Sequence, residues 1–397
     1  MSVAATAAIS APPRLRLDRR ELAGAVGDVG VLVPIATVLV VGNGLSATAV
    51  LLPAGLLYLG AAAAYRLPVP VQPLKAFGAI AIAQGLGSDA IAAGALLMGV
   101  VFLALGRTGL IDLAARAFPT PVVRGIQLTV GVLFLEIAWD LVRAPPAAFA
   151  DASADAVLLM GLAVSALGAA IALKHRSVSL ALVGGGLVIA VVRAADELAL
   201  GPSALVLPTL DAATFWTALT VLVVPQLPLT FANSCVATSD AARTYFGPAA
   251  ERVRPGRLAQ SLGLANLLSG AISGMPVCHG AGGLTAHRAF GARTGGAPAA
   301  IGALLIGAAL VLGAGMAALL AAFPLAVLAA MLAAAGLLHV GLVGDLRGRR
   351  AWTIALAVGA AGVFVGLAPA LAVGLVAWWV PTRFTSRRGA PVPSSRR

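Results

Sequence analysis

Lys75 comes directly after three prolines, Pro68, Pro70 and Pro73, in the stretch PVPVQPLK. It is one of two lysines; every other basic residue is arginine. The surrounding sequence is oily, and an ionisable residue at membrane depth is read as functional by default. A full positive charge there suits an anion. The bland reading is a lysine that snorkels to the interface or pairs with Asp28. A second stretch, GMPVCHGAGGLTAHRAFG from Gly274 to Gly291, carries Cys278, His279 and Gly280. His279 suits a ligand contact and a structural hydrogen bond equally well. Cys278 reads as a packing residue rather than a nucleophile. A third stretch, VVPQLPLTFANS, puts Gln226 between Pro225 and Pro228, with Thr230, Asn233 and Ser234 further on. Neutral donors bind an oxyanion without needing to be protonated. A lone polar residue in a span also serves as packing glue. Asp28, between glycines in GAVGDVGVLVPI, is the candidate coupling residue: it can relay a proton, hold a cation or pair with Lys75.

These groups need elements to hold them. Each proline pushes its predecessor toward an extended conformation, so PVPVQP cannot be helix. Pro73 suits the first turn of a new helix, where its missing N–H costs nothing. An extended piece leading into a half-helix near Pro73 is therefore expected. Pro276 is expected to end the preceding span. Gly280, Gly282 and Gly283 then allow close backbone approach, and another half-helix should start there. Two facing helix N-termini, each with about half a positive charge and free N–H groups, make a seat for an anion.

Composition supplies the setting. The chain of 397 residues is 60% hydrophobic and 11% charged, against roughly 25% charged in soluble domains. Apolar runs long enough to cross a bilayer recur from end to end. About fourteen spans are expected, the third at 72–87 and the tenth at 279–291 being too short to cross alone. Others of note are the first at 22–42, the sixth at 156–173, the eighth at 213–236, the ninth at 258–275 and the eleventh at 297–318. The net charge of +12 sits in short clusters between apolar runs, which argues against nucleic acid. With the N-terminus in the cytoplasm and spans alternating, most Lys and Arg fall on the cytoplasmic side, the positive-inside pattern. Both termini are then cytoplasmic in a multi-pass inner-membrane protein. Arg14, Arg16, Arg19 and Arg20 precede a first helix that reads as retained rather than as a signal peptide.

Internal similarity divides the chain. GALLMG at Gly94 recurs as GALLIG at Gly302, Phe118-Pro119 as Phe323-Pro324, and Pro70-Val71 as Pro276-Val277, at offsets of 208, 205 and 206 residues. Each match is weak alone, but each falls in the same ordinal span of its half. The reading is a cytoplasmic segment 1–20, seven helices in 21–200, an inverted seven in 201–382, and a disordered basic tail 383–397. Inverted repeats with interrupted helices at matching places point to a secondary transporter.

Other chemistries are poorly served. Cys278, His279 and His287 lack a zinc-site spacing, and sequence neighbours such as Cys278-His279 do not make a nucleophile–base pair. No Walker-type loop is present, so ATP is not expected as the energy source. No cofactor is implied. Two cysteines in apolar surroundings, Cys235 and Cys278, do not suggest a disulfide framework.

ELAGAVGDVGVLVPI (Glu21 to Ile35), PVPVQPLKAFGAIAIA (Pro68 to Ala83), VPQLPLTFANSCVATSDAA (Val224 to Ala242) and GMPVCHGAGGLTAHRAFGARTG (Gly274 to Gly295) together resemble the molybdate transporter family, a branch related to the sulfate permeases. The resemblance covers nearly the whole membrane region. It implies a seven-plus-seven inverted repeat with core and gate domains, and a substrate site between the third and tenth helices. It also implies transport of molybdate or a similar tetrahedral oxyanion. The positions carried over are Gln72, Lys75, Gln226, Cys278, His279 and Gly280, with Asp28 nearby. About fifteen residues follow the last span, so the cytoplasmic regulatory domain of many sulfate permeases is not expected. Related nucleobase permeases are expected to hold carboxylates in the eighth and tenth helices. Here Gln226 stands in the eighth and no acid lies between Met275 and Arg293, which disfavours a nucleobase. Sulfate or bicarbonate remains an alternative substrate, and a channel or a Cys278 enzyme an alternative class. A homodimer fits the architecture, although nothing in the sequence marks an interface.

Overall fold

The computed structural model describes residues 13–25, 29–111, 118–145 and 177–386, with 113, 159 and 161. Asp28 and nearly all of the expected sixth span lie outside these residues, as does 387–397. The described chain is helical except for two very short strands. Helices α1 (Arg19–Ala25), α2 (Val29–Val41) and α3 (Ala47–Tyr65) lead to β1 (Gln72–Pro73). Then follow α4 (Lys75–Ala83), α5 (Ser88–Thr108), α6 (Thr120–Arg143) and α7 (Ser177–Arg193). Helix α8 is composite. It alternates α and π segments: Ala212–Thr217, Ala218–Val223, Val224–Leu229, Thr230–Ala237 and Thr238–Phe246. Next come α9 (Pro255–Ala271), β2 (Val277–Cys278), α10 (Ala281–Phe290), α11 (Gly296–Val311) and α12 (Gly313–Ala321). The chain closes with α13 (Leu325–Gly341), α14 (Arg349–Phe364) and α15 (Leu367–Ser386). Among the described residues, five helices are long and apolar enough to cross a membrane, six if the bent pair α11–α12 is one span.

Small residues set the helix spacing. α6 crosses α13 where Gly131 and Gly336 meet. A Cβ on Gly131 would lie 2.8 Å from the Gly336 carbonyl oxygen, and one on Gly336 would lie 2.7 Å from that of Gly131. Each glycine thus accepts the other's backbone, as small-residue packing in membranes requires. α5 packs along α9, and α3 along α11.

Four expectations need correction. α4 starts at Lys75, not Pro73, because the chain is still extended at Leu74, whose N–H donates to the Pro276 carbonyl at 3.1 Å. α9 ends at Ala271, before Pro276: Ser273 turns to φ 53° and the Gly274 N–H returns to the Ser269 carbonyl at 2.7 Å. The eleventh span is two helices bent by 100°. The loop at Gly201 enters that bend, accepting from Ala314 N–H and donating to the Val311 carbonyl, both at 2.8 Å. Finally, helix continues to Ser386, so the C-terminal four residues of α15 fall inside what the sequence assigned to the tail.

Candidate functional site

The two interrupted places meet. β1 pairs antiparallel with β2, Gln72 opposite Cys278 and Pro73 opposite Val277. α4 and α10 therefore leave the pair in opposite directions. β2 is held on its other side by Asn266 of α9. The Asn266 amide donates to the Val277 carbonyl at 2.9 Å, and its oxygen accepts the Val277 N–H at 2.8 Å. Asn266 is buried and acts as one rung of a third strand. Asn266→Ala strands both backbone groups of a fully buried residue, at about 1–3 kcal/mol per group. A melting curve of the detergent-purified variant should show a clear loss of stability; an unchanged curve would refute this anchoring role.

A narrow cleft opens beside the strand pair. Lys75 lines it from the first turn of α4, Cys278 from β2, and Gln226, Leu229, Asn233 and Ser234 from α8. Gln127 of α6 and His339 of α13 complete the lining. Among these described residues Lys75 alone carries a permanent positive charge, and none is a carboxylate. The Lys75 ammonium donates to the Gln72 side-chain oxygen at 2.7 Å. Gln226 is committed on both sides. Its oxygen accepts the Phe77 N–H of α4 at 3.0 Å, and its amide donates to Thr230 at 3.0 Å. One orphan N–H of the α4 start is thereby capped by a neighbouring helix rather than left for a ligand. Gln127 gives its oxygen to Arg124 at 2.8 Å, so what it offers the cleft is its NH2 group. Arg124 in turn pairs with Asp345, which ties α6 to the turn after α13.

The π segments of α8 explain its polar face. Pro225 and Pro228 have no N–H to give, and the flanking wide turns re-route the ladder. Thr238 satisfies the Asn233 carbonyl five residues back at 2.8 Å.

Gly280 precedes α10. A Cβ there would fall 2.7 Å from the Gln72 side-chain oxygen, the atom that holds Lys75. Gly280→Val should displace the Gln72 amide and release Lys75 while leaving the backbone intact. Transport, measured as substrate uptake, should fall about tenfold or more, since misplacing a positioned group by an ångström costs up to 10²-fold. Wild-type uptake would rule this steric link out.

His279 is fully buried and turned into structure. Its Nδ1–H donates to the Pro70 carbonyl and its Nε2 meets the Ser261 hydroxyl, both at 2.8 Å. Ser261 continues to the Tyr65 hydroxyl at 2.7 Å. Lys75, Gln226 and Cys278 thus line the cleft, Gln72 and Gly280 set the lysine, and His279 joins β2 to the segment before β1. Gln127, Ser234 and His339 complete a lining that the sequence had assigned only in part.

A family model described as a molybdate transporter of the MFS superfamily matches residues 20–134 and 218–338. The chain belongs to the molybdate transporter family. Those two matches take in α1 through most of α6, and the central part of α8 through most of α13, so every lining residue of the cleft except His339, one position past the second match, falls inside them. This molybdate transporter family member is 29% identical to molybdate transporter 1 of Arabidopsis thaliana over 356 residues, 80% of this chain and 78% of that one. It is also 29% identical to molybdate transporter 1 of Chlamydomonas reinhardtii over 451 residues, 86% and 87% of the two chains. Membership places it among transporters, not enzymes. Its fold is that of the transmembrane domain of a cyanobacterial bicarbonate transporter, BicA, with a TM-score of 0.63 at 18% identity, covering 92% of this chain and 98% of that one. SLC26A9 has the same fold, with a TM-score of 0.66 at 14% identity; the match spans 92% of this chain and 65% of that one.

Proposed function

We propose that this chain is a secondary active transporter of a tetrahedral oxyanion, molybdate, that works by alternating access. The observation that carries the reading is the cleft itself. One ammonium and several neutral donors line a space beside the starts of two short helices, with no described carboxylate among them. A dianion finds there a full positive charge, two helix N-termini and donors that need no proton.

A seven-plus-seven inverted repeat accounts for three features together. The strand pair is antiparallel and joins positions 206 residues apart, Gln72 and Cys278. Packing of α5 on α9 is mirrored by that of α3 on α11. Gly131 and Gly336, 205 residues apart, cross each other where the pseudo-two-fold axis would run. The short helices α4 and α10 are then the half-helices of a core domain that moves against a gate domain. Two-fold related helix breaks at mid-membrane are the common address of a transporter site.

The test is uptake of labelled molybdate by proteoliposomes, with sulfate and bicarbonate as competitors. Saturable uptake that sulfate barely inhibits supports a molybdate carrier. Equal block by sulfate makes it a general oxyanion permease, and no uptake of any of the three removes the oxyanion reading.

A further inference from the structure

His339 lines the cleft with Lys75, and its ring is already half committed. Nδ1 lies 2.8 Å from the Ala335 carbonyl, one turn back on α13. A carbonyl only accepts, so Nδ1 carries the hydrogen and Nε2 is the nitrogen that changes with protonation. The edge of the ring packs T-shaped on Phe134 of α6, with centroids 5.7 Å apart, which fixes the imidazole plane. A neutral ring presents a lone pair at Nε2, which repels an oxyanion. A protonated ring presents an N–H, which binds one.

We propose that His339 is the proton-carrying partner of Lys75: its Nε2–H donates to an oxygen of the bound dianion, so that anion and proton enter together. This rests on the cleft being the oxyanion site. The proton comes from the water on the side from which the anion enters and is returned when the anion leaves. Two cationic side chains balance a dianion, so the loaded cleft carries no net charge across a medium where each uncompensated charge is expensive.

The other charged groups on the elements that pack against α13 do not compete for this role. Arg124 of α6 and Asp345 of the following turn satisfy each other. Glu136, Asp140 and Arg143 of α6 and Arg193 of α7 are exposed. α2 contains no titratable side chain between Val29 and Val41. Asp28, just ahead of it, lies outside the described residues.

The test is calorimetric titration of molybdate into the purified full chain, in buffers of different ionisation heat, between about pH 6 and 8.5. Wild type should take up about one proton per anion within the window between the free and the loaded histidine, and bind about tenfold more weakly for each unit of rising pH there. Below that window the free ring is already charged and the slope vanishes. His339→Asn keeps a donor in reach of the Ala335 carbonyl but removes Nε2, and should take up no proton and lose the pH slope. His339→Gln, with a permanently neutral amide, should lose them too, which keeps the test open if one variant fails to fold. Any proton carried by molybdate itself is common to all three proteins. Proton uptake and slope equal to wild type in either variant overturns the role of His339. If that occurs while Lys75→Ala abolishes binding, the oxyanion site stands without it. If wild type itself does not bind molybdate, the site reading falls and this role with it.

Discussion

Lys75→Ala should abolish saturable molybdate uptake in proteoliposomes while the protein still folds. The expected loss is at least 10²-fold in uptake at low substrate, since truncating one partner of a buried charge pair costs about 2–5 kcal/mol. Folding should survive because Lys75 is only part-buried and its one described hydrogen bond is to the Gln72 side chain. Removing it leaves an amide oxygen in a polar cleft, not an orphaned charge. Lys75→Arg separates charge from shape. A guanidinium keeps the charge but presents a rigid planar fork where a compact ammonium sat, so uptake should recover only in part. Unaltered uptake by Lys75→Ala would move the anion away from the helix breaks altogether, since Lys75 is the only permanent cation among the residues described around the cleft.

That prediction was open to a reader of the sequence, because Lys75 announces itself: a charge beside helix-breaking prolines in oily surroundings has few bland explanations. The neighbouring strand pair was half legible. Prolines and glycines located both interruptions, but the pairing of Gln72 with Cys278 depends on a tertiary meeting that local rules do not encode. Gln127 and His339 were hidden for another reason. Each is a polar residue among apolar neighbours in a membrane helix, where packing glue and ligand contact look alike. Only the crossing of α6, α8 and α13 puts them around one space. The 100° bend between α11 and α12 carries no proline at its break, between Val311 and Gly313, and depends on a remote loop entering at Gly201. Asn266 was overlooked too: its partner is the backbone of Val277, and backbone partners leave no sequence signal.

Glu21 is the residue whose loss should most damage the fold. It sits near the start of α1 and is buried. One carboxylate oxygen accepts the N–H groups of Arg293 and Thr294, both at 2.8 Å, and the other accepts that of Ala297 at 3.2 Å. No ion pair to Glu21 occurs among the described residues; its charge is answered by backbone N–H groups and the positive end of α11. The first helix is thereby fastened to the segment joining α10 to α11. Glu21→Ala removes the charge and leaves three N–H groups without their acceptor, those of Thr294 and Ala297 buried. The expected cost is about 3–5 kcal/mol, read as a fall in melting temperature on the order of 5–10 °C in detergent. Glu21→Gln keeps one acceptor oxygen and should fall between alanine and wild type. Glu21→Asp keeps the charge but shortens the reach, so it should lose the Ala297 contact, already the longest, and little else. A melting temperature for Glu21→Ala within about 1 °C of wild type would mean that water or another acceptor replaces the carboxylate, and that α1 is held by apolar packing alone.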